Sequence, residues 1–169
     1  MRKTFLGLLL CLHTVVFAQN KKPLDHTVYD SWQSIGEKKI SNDGKWIAYV
    51  VNVQEGDGTL QIQSADQAYK KNIDRGYNIF ITDDSRFLIC KIKPLYADTR
   101  QSRIKKKTPD SFTKDSLAII ELGKDSVFKT ARVKSFQAPE KNNKWVAWHL
   151  EKPLADTAKK KKTKDSLVA

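Results

Sequence analysis

One short pattern is written three times along this chain. Ser41-Asn42-Asp43-Gly44-Lys45-Trp46-Ile47-Ala48-Tyr49 returns as Thr82-Asp83-Asp84-Ser85-Arg86-Phe87-Leu88-Ile89-Cys90, and in shortened form as Asn142-Asn143-Lys144-Trp145-Val146-Ala147-Trp148. Asn, Asp and Gly accept positive φ, and their short polar groups bond to nearby backbone, so each copy predicts a tight chain reversal. The basic residue that follows suits a solvated strand mouth. The aromatic then opens an apolar run, 46–51, 87–92 or 145–150, which predicts a strand buried on both faces. The pattern is a repeated β-hairpin.

The first two copies lie 41 residues apart, close to the roughly 40–45 residue period of four-stranded propeller blades. The third comes later because a polar, basic stretch from Asp98 to Lys114 intervenes, with the tract Lys105-Lys106-Lys107 and Pro109. Having no apolar period, it predicts a long solvated loop. That insertion is itself repeated. Lys93-Pro94-Leu95-Tyr96-Ala97-Asp98-Thr99 and Thr113-Lys114-Asp115-Ser116-Leu117-Ala118 recur as Lys152-Pro153-Leu154-Ala155-Asp156-Thr157 and Thr163-Lys164-Asp165-Ser166-Leu167-Val168. After the first copy a strand runs on through Leu122 to a Gly123 turn. The second copy reaches Ala169, so the sequence predicts a chain that ends inside a strand, the N-terminal piece of something longer.

Further strands are predicted around Leu60-Gln61-Ile62, Tyr77 to Ile81, Val127 to Thr130 and Val133 to Phe136, with turns at Gln54 to Gly58 and Asp74 to Gly76. Val28 to Trp32 leads into Ile35 and Ile40 without strand alternation and fits a helical turn. The expected fold class is all-β: antiparallel blades of an incomplete β-propeller, preceded by a signal peptide. The expected boundaries are 1–18 for that signal, 19–39 for a lead-in segment, and 40–169 for about three blade units with basic insertions near 98–114 and 156–164.

The signal expectation rests on Arg2 and Lys3, the apolar stretch from Phe5 to Phe17, and the close at Val16-Phe17-Ala18, with cleavage after Ala18. The stretch is short for a membrane span, which takes about 20 apolar residues. An exported location, periplasmic or extracellular, follows. Of the two cysteines, Cys11 leaves with the signal, so no internal disulfide can form. Cys90 lies in a predicted strand and reads as a small buried hydrophobe.

The net charge of +12 raises a nucleic-acid reading, but the excess lysines cluster in the insertions without interleaved aromatics for base stacking. Trp32, Trp46, Trp145 and Trp148 fall in or near strands, where a core role is expected. No nucleic-acid partner and no stable membrane anchor are predicted.

Catalytic chemistry is thin. No two glycines are spaced for a Gly-x-Ser-x-Gly nucleophile elbow. His13, His26 and His149 are the histidines, the last in an apolar run where a packed or rim role is expected. One mature cysteine and two mature histidines do not make a tetrahedral zinc set, and Asn42-Asp43-Gly44 and Asp57-Gly58 are explained by turn chemistry rather than a calcium loop. Catalytic, cofactor-binding and metal sites are each predicted to be none, and no cofactor is implied.

Leu24-Asp25-His26-Thr27-Val28-Tyr29-Asp30-Ser31-Trp32, running into Ile40-Ser41-Asn42-Asp43-Gly44-Lys45-Trp46-Ile47-Ala48-Tyr49 together with the lysine-rich insertions, resembles the start of exported prolyl-oligopeptidase-family serine peptidases of Bacteroidetes type. The hairpin alone is shared with many propellers, TolB-like ones among them. The resemblance implies a propeller that restricts access of peptide substrates to a C-terminal α/β-hydrolase domain of the same parent chain. That domain carries Ser-Asp-His chemistry, and no catalytic residue is carried over to this sequence. The alternative is a free-standing exported, TolB-like module that binds a protein partner along its open strand edge.

Overall fold

The computed structural model describes residues 26–141 and 145–152. The predicted signal peptide, the second insertion near 156–164, the end of the chain, and Asn142 to Lys144 lie outside the described residues. A 3-10 turn, His26–Ser31, precedes ten strands: β1 Gln33–Ile40, β2 Trp46–Val53, β3 Thr59–Ser64, β4 Lys70–Asp74, β5 Gly76–Ile81, β6 Phe87–Ile92, β7 Ser116–Glu121, β8 Val127–Thr130, β9 Val133–Gln137 and β10 Ala147–Leu150. Between β6 and β7 lies one α-helix, α1, Tyr96–Ile104.

The strands form two four-stranded antiparallel meanders, β1-β2-β3-β4 and β5-β6-β7-β8, and a two-stranded pair, β9-β10. These sheets do not close into a barrel. Equivalent strands keep equivalent registers: Trp46 to Val51 of β2 face Ser64 to Thr59 of β3, and Phe87 to Ile92 of β6 face Glu121 to Ser116 of β7. The predicted 41-residue period is therefore a period of whole meanders.

Strand alternation explains how the sheets stack. Ala48 and Val50 of β2 with Leu60 and Ile62 of β3 share one core with Leu88, Cys90 and Ile92 of β6 and Ala118 and Ile120 of β7. The opposite faces of β6 and β7 supply Ile89 and Leu117 to a second core with Val133, against which Phe80, Phe136 and Val146 pack. The second sheet is thus covered on both sides and the first on one. Gly76 opens β5 where a Cβ would stand 2.6 Å from Leu60 Cβ, so only glycine permits that approach of the two sheets.

The repeated turns are built alike, bond for bond. At the first, Ser41 Oγ donates to Asp43 Oδ1 (2.6 Å) and accepts from the Trp46 amide (2.9 Å), while the Lys45 amide donates to Asp43 Oδ1 (3.0 Å). At the second, Thr82 Oγ1 donates to Asp84 Oδ1 (2.6 Å) and accepts from the Phe87 amide (3.0 Å), and the Arg86 amide donates to Asp84 Oδ1 (3.2 Å). Gly44 (φ 71°) and Ser85 (φ 57°) occupy the same left-handed position. A third turn of this design, Ser64 to Tyr69, joins β3 to β4. Its Tyr69 amide donates to Ser64 Oγ (2.9 Å), its Ala68 amide to Asp66 Oδ1 (3.1 Å), and Gln67 has φ 62°. The first two turns also touch, with Asn42 Nδ2 donating to Asp83 Oδ1 at 2.7 Å.

Several expectations change. The first sheet begins at Gln33, so residues 33–39, assigned to the lead-in, form most of an edge strand whose side chains are almost all exposed. Polar residues on both faces of an edge strand leave no alternation to read. Lys70–Asp74 is a strand too, hidden by its charges. The basic insertion is not solvated loop throughout. It folds helix α1 and a 3-10 turn, Pro109–Ser111. The apolar run from Trp145 was expected to be buried on both faces, yet all four residues of β10 are exposed. Trp32, Trp145 and Trp148 are likewise 55%, 59% and 38% exposed, Trp32 meeting the Tyr29 ring edge-on and Trp148 the exposed Phe128 ring; Trp46 alone of the four packs on the core.

Candidate functional site

The sheets have two unlike ends. The first carries the three Ser/Thr-x-Asp turns and the β7–β8 turn, tied together by the Ala65 amide donating to Lys45 O (2.7 Å) and the Leu122 amide to Arg86 O (2.9 Å). The opposite end carries the β2–β3 loop, the insertion with α1, and the loop before β9. Most of the basic residues of the insertion gather there.

Helix α1 is held by the neighbouring sheet rather than by its own cap. Leu95 at its N-cap offers no side-chain hydrogen bond. Instead, Asp57 of the β2–β3 loop accepts from the Tyr96 amide (2.9 Å), and Glu55 accepts from the Tyr96 hydroxyl (2.5 Å). Asp98 in the first turn and Arg103 in the last suit the helix dipole. The Tyr96 phenol is raised above its ordinary value, first by its hydrogen bond to Glu55 and then by desolvation; Arg100 and Arg103 act in the opposite sense.

Beneath the helix lies the one buried charged side chain among the described residues. Lys91 of β6 is 9% exposed, and its Nζ donates to Asp115 Oδ2 (2.7 Å) and to Lys134 O (2.9 Å). The Tyr77 hydroxyl donates to the same carboxylate oxygen. Burial lowers the Lys91 pKa, but the hydrogen bonds to Asp115 and Tyr77 outweigh it and leave the ammonium above its ordinary value. Tyr77 is raised by burial and by Asp115. Lys91 and Lys93 lie 5.4 Å and 5.0 Å from the Tyr77 ring centre.

Beside this cluster opens a cavity of about 500 Å³ lined by Tyr77, Lys93, Arg100, Arg103, Phe112 and Asp115, among others. Arg100 and Arg103, three apart on α1, share a helical face. A second cavity, of about 610 Å³, lies at the same end between Lys114, Lys134 and His149. The insertion marked this end in the sequence through its charge. The clustering of Lys91, Asp115 and Tyr77 depends on strand register and left no local trace.

The residues weighed for chemistry stay apart. Cys90 is fully buried, and burial pushes its thiol up to about 12, which agrees with a packing role. His26 and His149 are exposed and form no hydrogen bond with a serine, cysteine or carboxylate among the described residues. Among those residues no group of three or more His, Cys, Asp or Glu is placed to hold a metal, and no helix is long and apolar enough to cross a membrane.

No family model matches the sequence, and no curated protein matches it. Among solved structures, the chain is similar to an acylaminoacyl peptidase of Pyrococcus horikoshii, at 13% identity and a TM-score of 0.46. That match covers 69% of this chain and 17% of the peptidase, so the chain spans less than a fifth of that protein's length.

Proposed function

We propose that this chain is the non-catalytic N-terminal propeller part of an exported serine peptidase of the prolyl-oligopeptidase type. Its stacked sheets would serve as blades that limit peptide access to a hydrolase domain in the same parent chain. The observation that carries the reading is the repeated unit. Two four-stranded antiparallel meanders share a core, and their first turns, 41 positions apart, are built alike and bond to each other. Meanders stacked through buried faces are what a propeller repeats around its axis. The resemblance of the Leu24 to Tyr49 segment and of the lysine-rich insertions selects the peptidase type among propeller proteins. The leader at Arg2 to Ala18 supports export.

The division of labour is physical. Acyl transfer needs a nucleophile, a base and an oxyanion site within hydrogen-bond reach of one another, whereas the blades supply a rigid wall that excludes bulky substrates. An antibody against residues 46–64 tests the reading in fractionated cells of the native host. The expected band runs well above the 19.3 kDa of this chain, lies in the exported fraction, and takes up a fluorophosphonate serine-hydrolase label. An exported band at or below the mass of this chain, without label, would replace the reading with the free-standing binding module. A cytoplasmic band would remove export.

A further inference from the structure

The cavity under α1 has an unbalanced charge. Lys93, Arg100 and Arg103 line it, and among the described residues none of the three has a carboxylate within ion-pair distance. The two acids in the wall are committed elsewhere: Asp57 accepts from the Tyr96 amide, and Asp115 holds Lys91 and the Tyr77 hydroxyl. Three cations around one concavity repel one another and concentrate the local field, which favours an anion.

The walls are firm. Lys93 leaves β6 with its amide donating to Arg75 O (3.0 Å) and its carbonyl accepting from Arg75 Nε (3.0 Å). The helix that presents both arginines is fixed at Tyr96 by Glu55 and Asp57. Tyr77 and Phe112 add aromatic surface, and about 500 Å³ falls within the roughly 300–1,000 Å³ of small-molecule sites.

We propose that this cavity binds a small organic carboxylate of about dipeptide size. Its anionic group is held by Arg100, Arg103 and Lys93, and its apolar body lies against Tyr77 and Phe112. Guanidinium groups match carboxylate oxygens in planar, bidentate fashion. Bare phosphate fits less well. It would leave the aromatic walls wet, and its second charge would face Asp57 and Asp115. The site does not rest on the peptidase reading, and either can fail while the other stands.

Calorimetric titration of the full chain at low salt tests the site with three probes: hippurate, its neutral amide, and inorganic phosphate. Hippurate is expected to bind saturably and to weaken as salt rises. The amide should bind about tenfold more weakly, equivalent to about 1.4 kcal/mol, and phosphate more weakly than hippurate. Arg100→Ala and Arg103→Ala, both at exposed positions, should each raise the hippurate Kd about tenfold. Lys45→Ala at the far end should leave it unchanged. Lys93→Gln gives an independent reading should either arginine variant lose its circular dichroism. Equal binding of the amide, equal binding of phosphate, no saturable heat with hippurate, or arginine variants that bind as the parent does would each overturn the proposal.

Discussion

A single hydroxyl closes each of the repeated turns. Ser41 and Thr82 are 5% and 3% exposed, and each hydroxyl serves at once as donor to an aspartate and acceptor from the amide that starts a strand. Thr82→Val keeps the shape but leaves the Phe87 amide without its side-chain acceptor, and should cost about 1–2 kcal/mol in urea unfolding. Gly44→Ala tests backbone rather than contact. Nothing lies within 4 Å of the added methyl, yet φ is +71°, so a loss of about 1 kcal/mol should come from conformation alone. The pH dependence follows the same bonds. Asp43 and Asp66 are held below the ordinary carboxylate value first by their serine hydroxyls, and Asp84 by the Thr82 hydroxyl. A lowered folded pKa gives stability that is present above the ordinary value of 3.8 and lost as pH falls below it. The unfolding midpoint should therefore hold near neutrality and fall on acidification past that point, and Thr82→Val should show a smaller fall. Two of these turns were legible because Asp-Gly and Asp-Ser stand before an aromatic. The Ser64 turn was not, because Gln67 takes the left-handed position where a glycine would have signalled it.

At the scale of elements, the contrast between α1 and the strands shows what local pattern can carry. β6 could be read directly because it is apolar at nearly every position and buried on both faces. β1, β4 and α1 could not. Their residues are mostly exposed, and what orders them comes from sequence-distant partners: β2 for β1, β3 for β4, and Glu55 with Asp57 for the helix. Most of the candidate cavity is legible only as charge, since Lys93, Arg100 and Arg103 stand in the sequence while the acids that leave them unbalanced are assigned by the fold. The Lys91–Asp115 pair fastens the base of the insertion to β6. Lys91→Met leaves a partly buried carboxylate facing Tyr77, and should destabilise the chain by about 3 kcal/mol. The double variant Lys91→Met, Asp115→Leu should recover most of that loss, which a double-mutant cycle reads directly. Both Lys91 and Tyr77 have raised folded pKa values. Their shared contribution is therefore complete below the ordinary tyrosine value of 10.0 and disappears as pH rises past it and past the ordinary lysine value of 10.5. The wild type should thus lose more stability than the double variant between neutral and strongly alkaline solution.

Across the whole molecule, stability should be graded by which faces are covered. The core shared by the two four-stranded sheets joins residues far apart in sequence, from Ala48 to Leu122. The second core ties the β9–β10 pair to the outer face of β6 and β7 through few buried side chains. Opening free energies follow buried apolar contact, so amide exchange should be slowest in β2, β3, β6 and β7, and fastest of all the strands in β10, whose four residues are exposed. Two truncations separate the layers. Leu88→Ala empties a fully buried position between the large sheets and should cost about 3 kcal/mol, speeding exchange in both meanders together. Val133→Ala removes two methyl groups from the second core and should speed exchange in β9 and β10 while leaving β2 and β3 nearly unchanged. If Val133→Ala loosened β2 as much as β10, the layers would form one cooperative unit, and stacking sheet by sheet would be the wrong description of what holds this chain together.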